Sequence, residues 1–193
     1  MLKELIDFVD ASFPCIPYGE KEKAKEAIQQ FEKTGKTVNY LLNKPLQDIS
    51  QGDILYSIPF VYFDDNGELR RFNAKAMIIN TSCHIENHNN ITLVPVLPID
   101  SAEFLNSSDC SVITNQIYDL MYIPDDRLSK YYIDFSMPVA YSSDLIKTQI
   151  EKGIIHRFAS LSQIGYYLFL IKLNIYLMRR EDPITFRQRN DEK

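Results

Sequence analysis

Apolar positions in the first 45 residues recur at the helical period; from about residue 47 they follow the strand pattern instead. In "LKELIDFVD" the residues Leu2, Leu5, Ile6 and Val9 fall at i, i+3, i+4 and i+7, one apolar stripe along a short helix. Pro14 and Pro17 interrupt it. "EKEKAKEAIQQFEKTGK" then aligns Ala24, Ala27, Ile28 and Phe31, and Gly35 supplies the left-handed residue on which many helices end. A third helical piece starts at a Thr37 cap and stops before Pro45, since a residue preceding proline is pushed out of the helical region. The expectation is an N-terminal helical extension over residues 1–45, packed on the rest of the chain or on a partner.

Beyond it the chain turns β-branched and aromatic. "GDILYSIPFVYF" reads as a strand, Asp64–Gly67 as a hairpin turn, and "ELRRFNAKAMIINTS" as the returning strand, because Asn-Gly readily takes positive φ. "HIENHNN" reads as a loop. "ITLVPVLPI" is the next strand, with Pro95 marking an edge or a bulge. "NQIYDLMYIP" and "KYYIDFSMPVAYS", joined by "DDRLS", complete five strands with short connections, the pattern of a small closed or nearly closed barrel.

"SDLIKTQIEKG" follows as a short helix starting at Ser143 or Asp144 and ending at Gly153. The last element is a long helix, with Ser160 and Gln163 forming a capping box, Arg179 and Arg180 at the negative end of the dipole, and Pro183 as the stop. Its apolar run, Ile164 to Met178, is 15 residues long and holds Lys172 and Asn174, short of the ~20 that span a bilayer. A helix apolar nearly all round is expected to be buried on more than one side. The fold class is therefore α+β and mainly β: a barrel with its C-terminal helix over residues 46–193, compact with the helical extension.

Composition agrees with a globular chain that buries a sizeable core: 45% hydrophobic, 24% charged, 9 Pro and 6 Gly. Met1-Leu2-Lys3-Glu4 runs straight into the amphipathic pattern, so no secretory leader is expected. Cys15, Cys83 and Cys110 are too irregularly spaced for a disulfide framework, which suits a reducing, cytoplasmic setting. Charge is uneven. Residues 51–156 carry 7 Lys/Arg against 14 Asp/Glu, and residues 157–193 carry 7 against 4. An acidic body disfavours broad, non-specific nucleic-acid binding but permits a local basic groove.

Three sets of residues carry candidate chemistry. Cys83, His84 and His88 could ligate a metal with Glu86, Cys110 or His156, or Cys83 could pair with His156 as a nucleophile. Adjacent side chains on extended backbone point apart, however, and no C-x-x-C pair is present. The simpler reading makes Cys83 a small buried residue at a strand end, with His84 and His88 in the loop. Asp125, Asp126, Asp134 and Asp144 lack the spacing of a calcium loop. Tyr131, Tyr132, Phe135 and Tyr141 could stack on bases, although core packing accounts for most aromatics. No metal and no cofactor are expected.

The order "GDILYSIPF", charged turn, "GELRRFNAKAMIINTS", polar loop, "ITLVPVLP" resembles the PemK/MazF family of toxins over roughly residues 50–100. The C-terminal "RFASLSQIGYYLFLIKL" is similar to larger PemK-like proteins of bacteria and phage-defence loci. The resemblance implies an SH3-like barrel and a metal-independent endoribonuclease acting on single-stranded RNA, with the RNA 2′-hydroxyl as internal nucleophile. Arg70 or Arg71 matches the family's arginine, a planar donor fork suited to a phosphorane. Ser101 stands where the family carries a threonine, and Thr81 and Ser82 are further candidates to assist. Implied partners are RNA, an antitoxin or another protein in a toxin–antitoxin or phage-defence system, and a second subunit in a homodimer. Two other functions stand beside this one: a non-catalytic barrel that binds a protein, and a small metal- or thiol-dependent enzyme using Cys83 and the histidines.

Overall fold

A computed structural model describes residues 39–101 and 111–178, with Thr185 and Gln188 beyond them. The helices expected over residues 1–38, and Arg179, Arg180 and Pro183, lie outside the described residues. Within them the chain forms a seven-stranded antiparallel sheet with three α-helices. The elements are β1 (Ile54–Phe63), β2 (Leu69–Ile78), α1 (Ser82–Asn87), β3 (Asn90–Pro98), a 3-10 turn (Ile99–Ser101), β4 (Leu120–Met121), β5 (Tyr131–Asp134), β6 (Val139–Ser142), α2 (Ser143–Glu151), β7 (Arg157–Ala159) and α3 (Gln163–Leu177). Strand order is β4-β5-β3-β2-β1-β7, with β6 also on β3. No ladder joins the two ends of this path among the described residues, so the sheet is open where the sequence suggested a closed or nearly closed barrel.

The hairpin forms as its turn dictates. Asp64 accepts the N–H groups of Asn66 and Glu68, Gly67 takes φ +77, and Phe63 pairs with Leu69. A bulge at Ser57, φ +64, adds a residue to β1. Leu55 and Ile58, three apart, therefore face the same side. That side is one of two cores. Leu55, Ile58, Ala76, Ile78, Ile91 and Leu93 pack under α1 and α2 through Ile85 and Ile146. Ile54, Met77, Val94, Val96 and Ile133 pack under α3 through Leu168 and Phe169. Burial on both faces explains the unbroken apolar runs "AMII" and "ITLV", where a one-sided sheet would alternate.

Several elements depart from expectation. β3 is central, not an edge. The Thr92 N–H turns toward the β2 side, to Asn80, so by alternation residue 95 turns toward the other side. On that side β6 covers Asn90–Leu93 and β5 covers Val96–Pro98. Pro95 sits where one strand hands over to the other, and its missing N–H breaks no ladder bond. "KYYIDFSMPVAYS" is two strands for the same reason: β5 and β6 pair different halves of β3. The expected loop at residue 84 is α1, capped by Thr81 accepting from His84. The piece expected to be helical up to Pro45 is extended over 39–42, because Leu42 and Tyr40 bond to Ser160 and Ser162 and Leu41 bridges Leu161. That pairing holds 160–161 extended, so α3 starts after Ser162, whose hydroxyl accepts the Gly165 N–H, and not in a box at Ser160. On α3, Tyr167, Leu168, Phe169, Ile171 and Lys172 are all buried, more than half the circumference. No helix among the described residues is long and apolar enough to cross a membrane.

Candidate functional site

β2 loses its β3 partner at Lys75, and there the sheet gathers a cation and three rings. Lys75 projects on the α3 side. Its ammonium lies 3.5 Å from the Tyr131 ring centroid, 5.2 Å from that of Tyr56 and 5.6 Å from that of Phe158. Each ring comes from a different strand region. Tyr56 is set by its N–H bonding the His156 carbonyl at 2.8 Å, Tyr131 by its register opposite Pro98, and Phe158 by β7. Tyr56 and Phe158 meet edge-to-face at 4.9 Å. A cation over a ring face is worth about 0.5–2 kcal/mol, more where water is excluded, so the half-buried Lys75 is held rather than loose. The cluster combines positive charge with flat apolar faces.

The two candidate arginines separate here. Arg70 points to the opposite face and is committed to Asp64 at 2.7 Å and Glu68 at 2.6 Å. The hydrogen bond from Arg70, helped by backbone N–H groups, holds the Asp64 carboxyl below its ordinary range. Arg71 lies on the Lys75 face, exposed, and makes no ion pair among the described residues.

The serine and threonine candidates divide between the two ends of β2. Thr81 caps α1, and the Ser82 hydroxyl accepts the Gln51 N–H at 3.3 Å. Both follow Ile78, roughly 23 Å of strand from Arg71, so neither comes to the arginine. Ser101 ends the 3-10 turn after β3. β3 runs antiparallel to β2 with Val96 beside Lys75, which brings that turn to the Lys75 and Arg71 end of the sheet.

The histidines sit elsewhere. The His84 and His88 rings stack at 4.3 Å on and just beyond α1, and Cys83, expected to be buried at a strand end, is exposed in the first turn of that helix. Cys110 lies outside the described residues. Among the described residues no three His, Cys, Asp or Glu side chains come together to hold a metal. The acids are individually engaged or exposed. Burial pushes the Asp125 carboxyl up, but bonds and charge from Arg127 outweigh it and leave it lowered. Asp134 is raised by burial, partly offset by the Ser136 N–H and hydroxyl. Asp144 is exposed in the first turn of α2. Of the proposed stacking aromatics, Tyr132 and Phe135 are core, Tyr141 donates its hydroxyl to the Pro59 carbonyl, and Tyr131 is in the cluster.

Lys75, Tyr56 and Phe158 were not flagged by sequence reasoning; the one hint was a lysine set between two alanines in an apolar strand. A second unflagged network is structural. Asp53, fully buried, takes Arg157 at 2.7 Å, the Ser50 N–H at 3.0 Å and the Ser160 hydroxyl. Arg157 also donates to the carbonyls of Gln47 and Asp48. Gly52, at φ +84, leaves room for Leu161, whose Cδ1 would be 2.5 Å from an added β-carbon. "GD" before β1 thus anchors the 46–53 segment on β7. No protein-family model matches the chain, and the search of curated proteins likewise returns no match.

Proposed function

We propose that this protein is a PemK/MazF-like, toxin-type protein that binds single-stranded RNA across the Lys75 end of its sheet. The carrying observation is the Lys75–Tyr131–Tyr56–Phe158 cluster on the same face as the exposed Arg71. Rings of this kind stack on bases whatever their identity, and the cations meet the backbone. The bond from Tyr141 on β6 to Pro59 on β1 ties two strands that share no ladder, a curl that supports the SH3-like barrel reading. For cleavage, Arg71 is the candidate arginine available to a phosphorane, and of the candidates Thr81, Ser82 and Ser101 it is Ser101 whose turn lies at the Arg71 end of the sheet. The RNA 2′-oxygen would bond to phosphorus as the P–O5′ bond breaks, with the proton passing from the 2′-oxygen to the 5′-oxygen.

Fluorescence anisotropy with a labelled single-stranded RNA in EDTA tests binding, and a gel of the same mixture tests cleavage. Tyr56→Leu and Tyr131→Leu each weaken binding about tenfold or more, and Arg71→Ala stops cleavage while Arg70→Ala does not. A wild-type protein that leaves single-stranded RNA unbound in low salt overturns the reading.

A further inference from the structure

The short helix α1 ends on a pair of histidines. His84 and His88 stand four residues apart, the spacing that puts two side chains on one face of a helical turn. The His88 N–H bonds the His84 carbonyl at 2.9 Å and fixes that spacing. The ring centroids are 4.3 Å apart and the planes 26° from parallel. His84 is half-buried and His88 exposed. Among the described residues no hydrogen bond occupies a nitrogen of either ring. Cys83 sits about 100° round the helix from His84, and Glu86, two positions from each histidine, does not share their face. No lysine or arginine occurs between Lys75 and Arg127, so the connection carrying α1 holds no cation of its own.

We propose that His84 and His88 together bind one divalent transition-metal ion of the kind that imidazole suits, Cu²⁺, Ni²⁺ or Zn²⁺, with water in the remaining positions. Imidazoles at i and i+4 on one helix face can reach a single ion. An ion about 2.0–2.1 Å from a nitrogen of each ring, with the two bonds near a right angle, sets the ring centroids roughly 4–5 Å apart. The observed separation already meets that span. Turning the rings about χ2, a broad torsion for imidazole, aims both nitrogens at the ion. Among the described residues no third ligand joins the pair, so the site is open and the ion exchangeable. Bound there, it clamps the turn. Ser82 on the same helix accepts the Gln51 N–H, and Gln51 accepts the Tyr166 hydroxyl at 2.7 Å, so the clamped turn is joined to α3. The pair lies past Ile78, at the other end of β2 from Lys75 and Arg71. The inference therefore stands apart from RNA binding.

Titration calorimetry of the untagged full chain with NiCl₂, in a buffer that does not chelate, reads the site directly. Wild type takes up one Ni²⁺ in the micromolar range. His84→Ala and His88→Ala each weaken binding about tenfold or more, since even residues behind a metal ligand are worth that much. His156→Ala, the chain's one other histidine, and Cys83→Ala leave it unchanged. Ni²⁺ raises the melting temperature of wild type and not of His88→Ala, because a ligand of the folded state stabilises it. Circular dichroism checks that each variant keeps the fold. Binding only at millimolar Ni²⁺, binding that survives both histidine changes, binding lost with Cys83→Ala or His156→Ala, or a melting shift that His88→Ala shares overturns the proposal.

Discussion

Asp53 and Arg157 form an ion pair of 2.7 Å in which the Asp53 carboxylate has no exposure to solvent. The pair joins the start of β1 to β7, at the sheet's terminal strand. Removing one partner strands the other charge in the interior, a loss of about 3–5 kcal/mol. Asp53→Asn, which keeps shape and removes charge, is therefore expected to lower urea-unfolding stability by that amount. A loss under about 1 kcal/mol, the scale of an exposed pair, would mean water reaches this site.

Lys172 is 3% exposed, and its ammonium donates to the Ile117 carbonyl at 2.6 Å and the Asn115 carbonyl at 3.2 Å. Burial pulls its pKa down to about 8, against a smaller upward pull from Asp119. Between pH about 8 and the ordinary lysine range near 10.5, the unfolded chain holds this proton and the folded chain does not. Stability from this group therefore rises with pH across that window, by on the order of 3 kcal/mol at most. Tyr40 acts in the opposite sense only above its ordinary value, since burial raises its pKa to about 12. Denaturation at pH 8 and pH 10 should show wild type gaining stability relative to Lys172→Met; parallel curves for the two proteins would refute the assignment.

Ser57 holds a left-handed backbone at φ +64 that a β-carbon opposes. Ser57→Gly is expected to stabilise by about 1 kcal/mol, because the strain of an L-residue there is about 1–2 kcal/mol. Gly52→Ala goes the other way, meeting both positive φ and Leu161. Thermal melts that rank the two variants in the reverse order would remove the strain argument.

The RNA reading separates charge from stacking through salt. Arg71→Ala should flatten the slope of log affinity against log salt by about 0.7, the share of one single-strand phosphate. Tyr56→Leu should lower affinity and leave that slope unchanged. Equal slopes for wild type and Arg71→Ala would place the phosphate contact at another residue.

The sequence displays what is local. Asp-Asn-Gly announces the hairpin, and an apolar helix without a polar face announces burial on two sides. It hides what depends on distant partners. "SCHIEN" is too short for a helical period, so α1 shows only through its Thr81 cap. Ser160 and Ser162 are equivalent cap residues on paper; the pairing of Leu41 with Leu161 chooses between them. Arg70 and Arg71 are likewise indistinguishable until strand alternation sends one to the acids of the turn and the other to the Lys75 face. The Lys75 cluster draws its rings from positions 56, 131 and 158, a set that no window of neighbouring residues brings together.

The handover at Pro95 bears on how this chain tolerates change in length. β5 enters at Tyr131, the register partner of Pro98, so residues 99–130 leave and re-enter the sheet at a single rung. The excursion begins and ends at neighbouring points, and β6 takes its own place on β3 independently of it. Closing a longer loop between fixed ends adds only about 0.6 kcal/mol per doubling. Insertions or deletions between residues 99 and 130 that spare β4, the buried Val112, Ile123 and Leu128, Lys172's carbonyl partners and the rung itself should leave β1, β2, β3 and β6 in register, which makes this segment the natural place for related chains to differ in size.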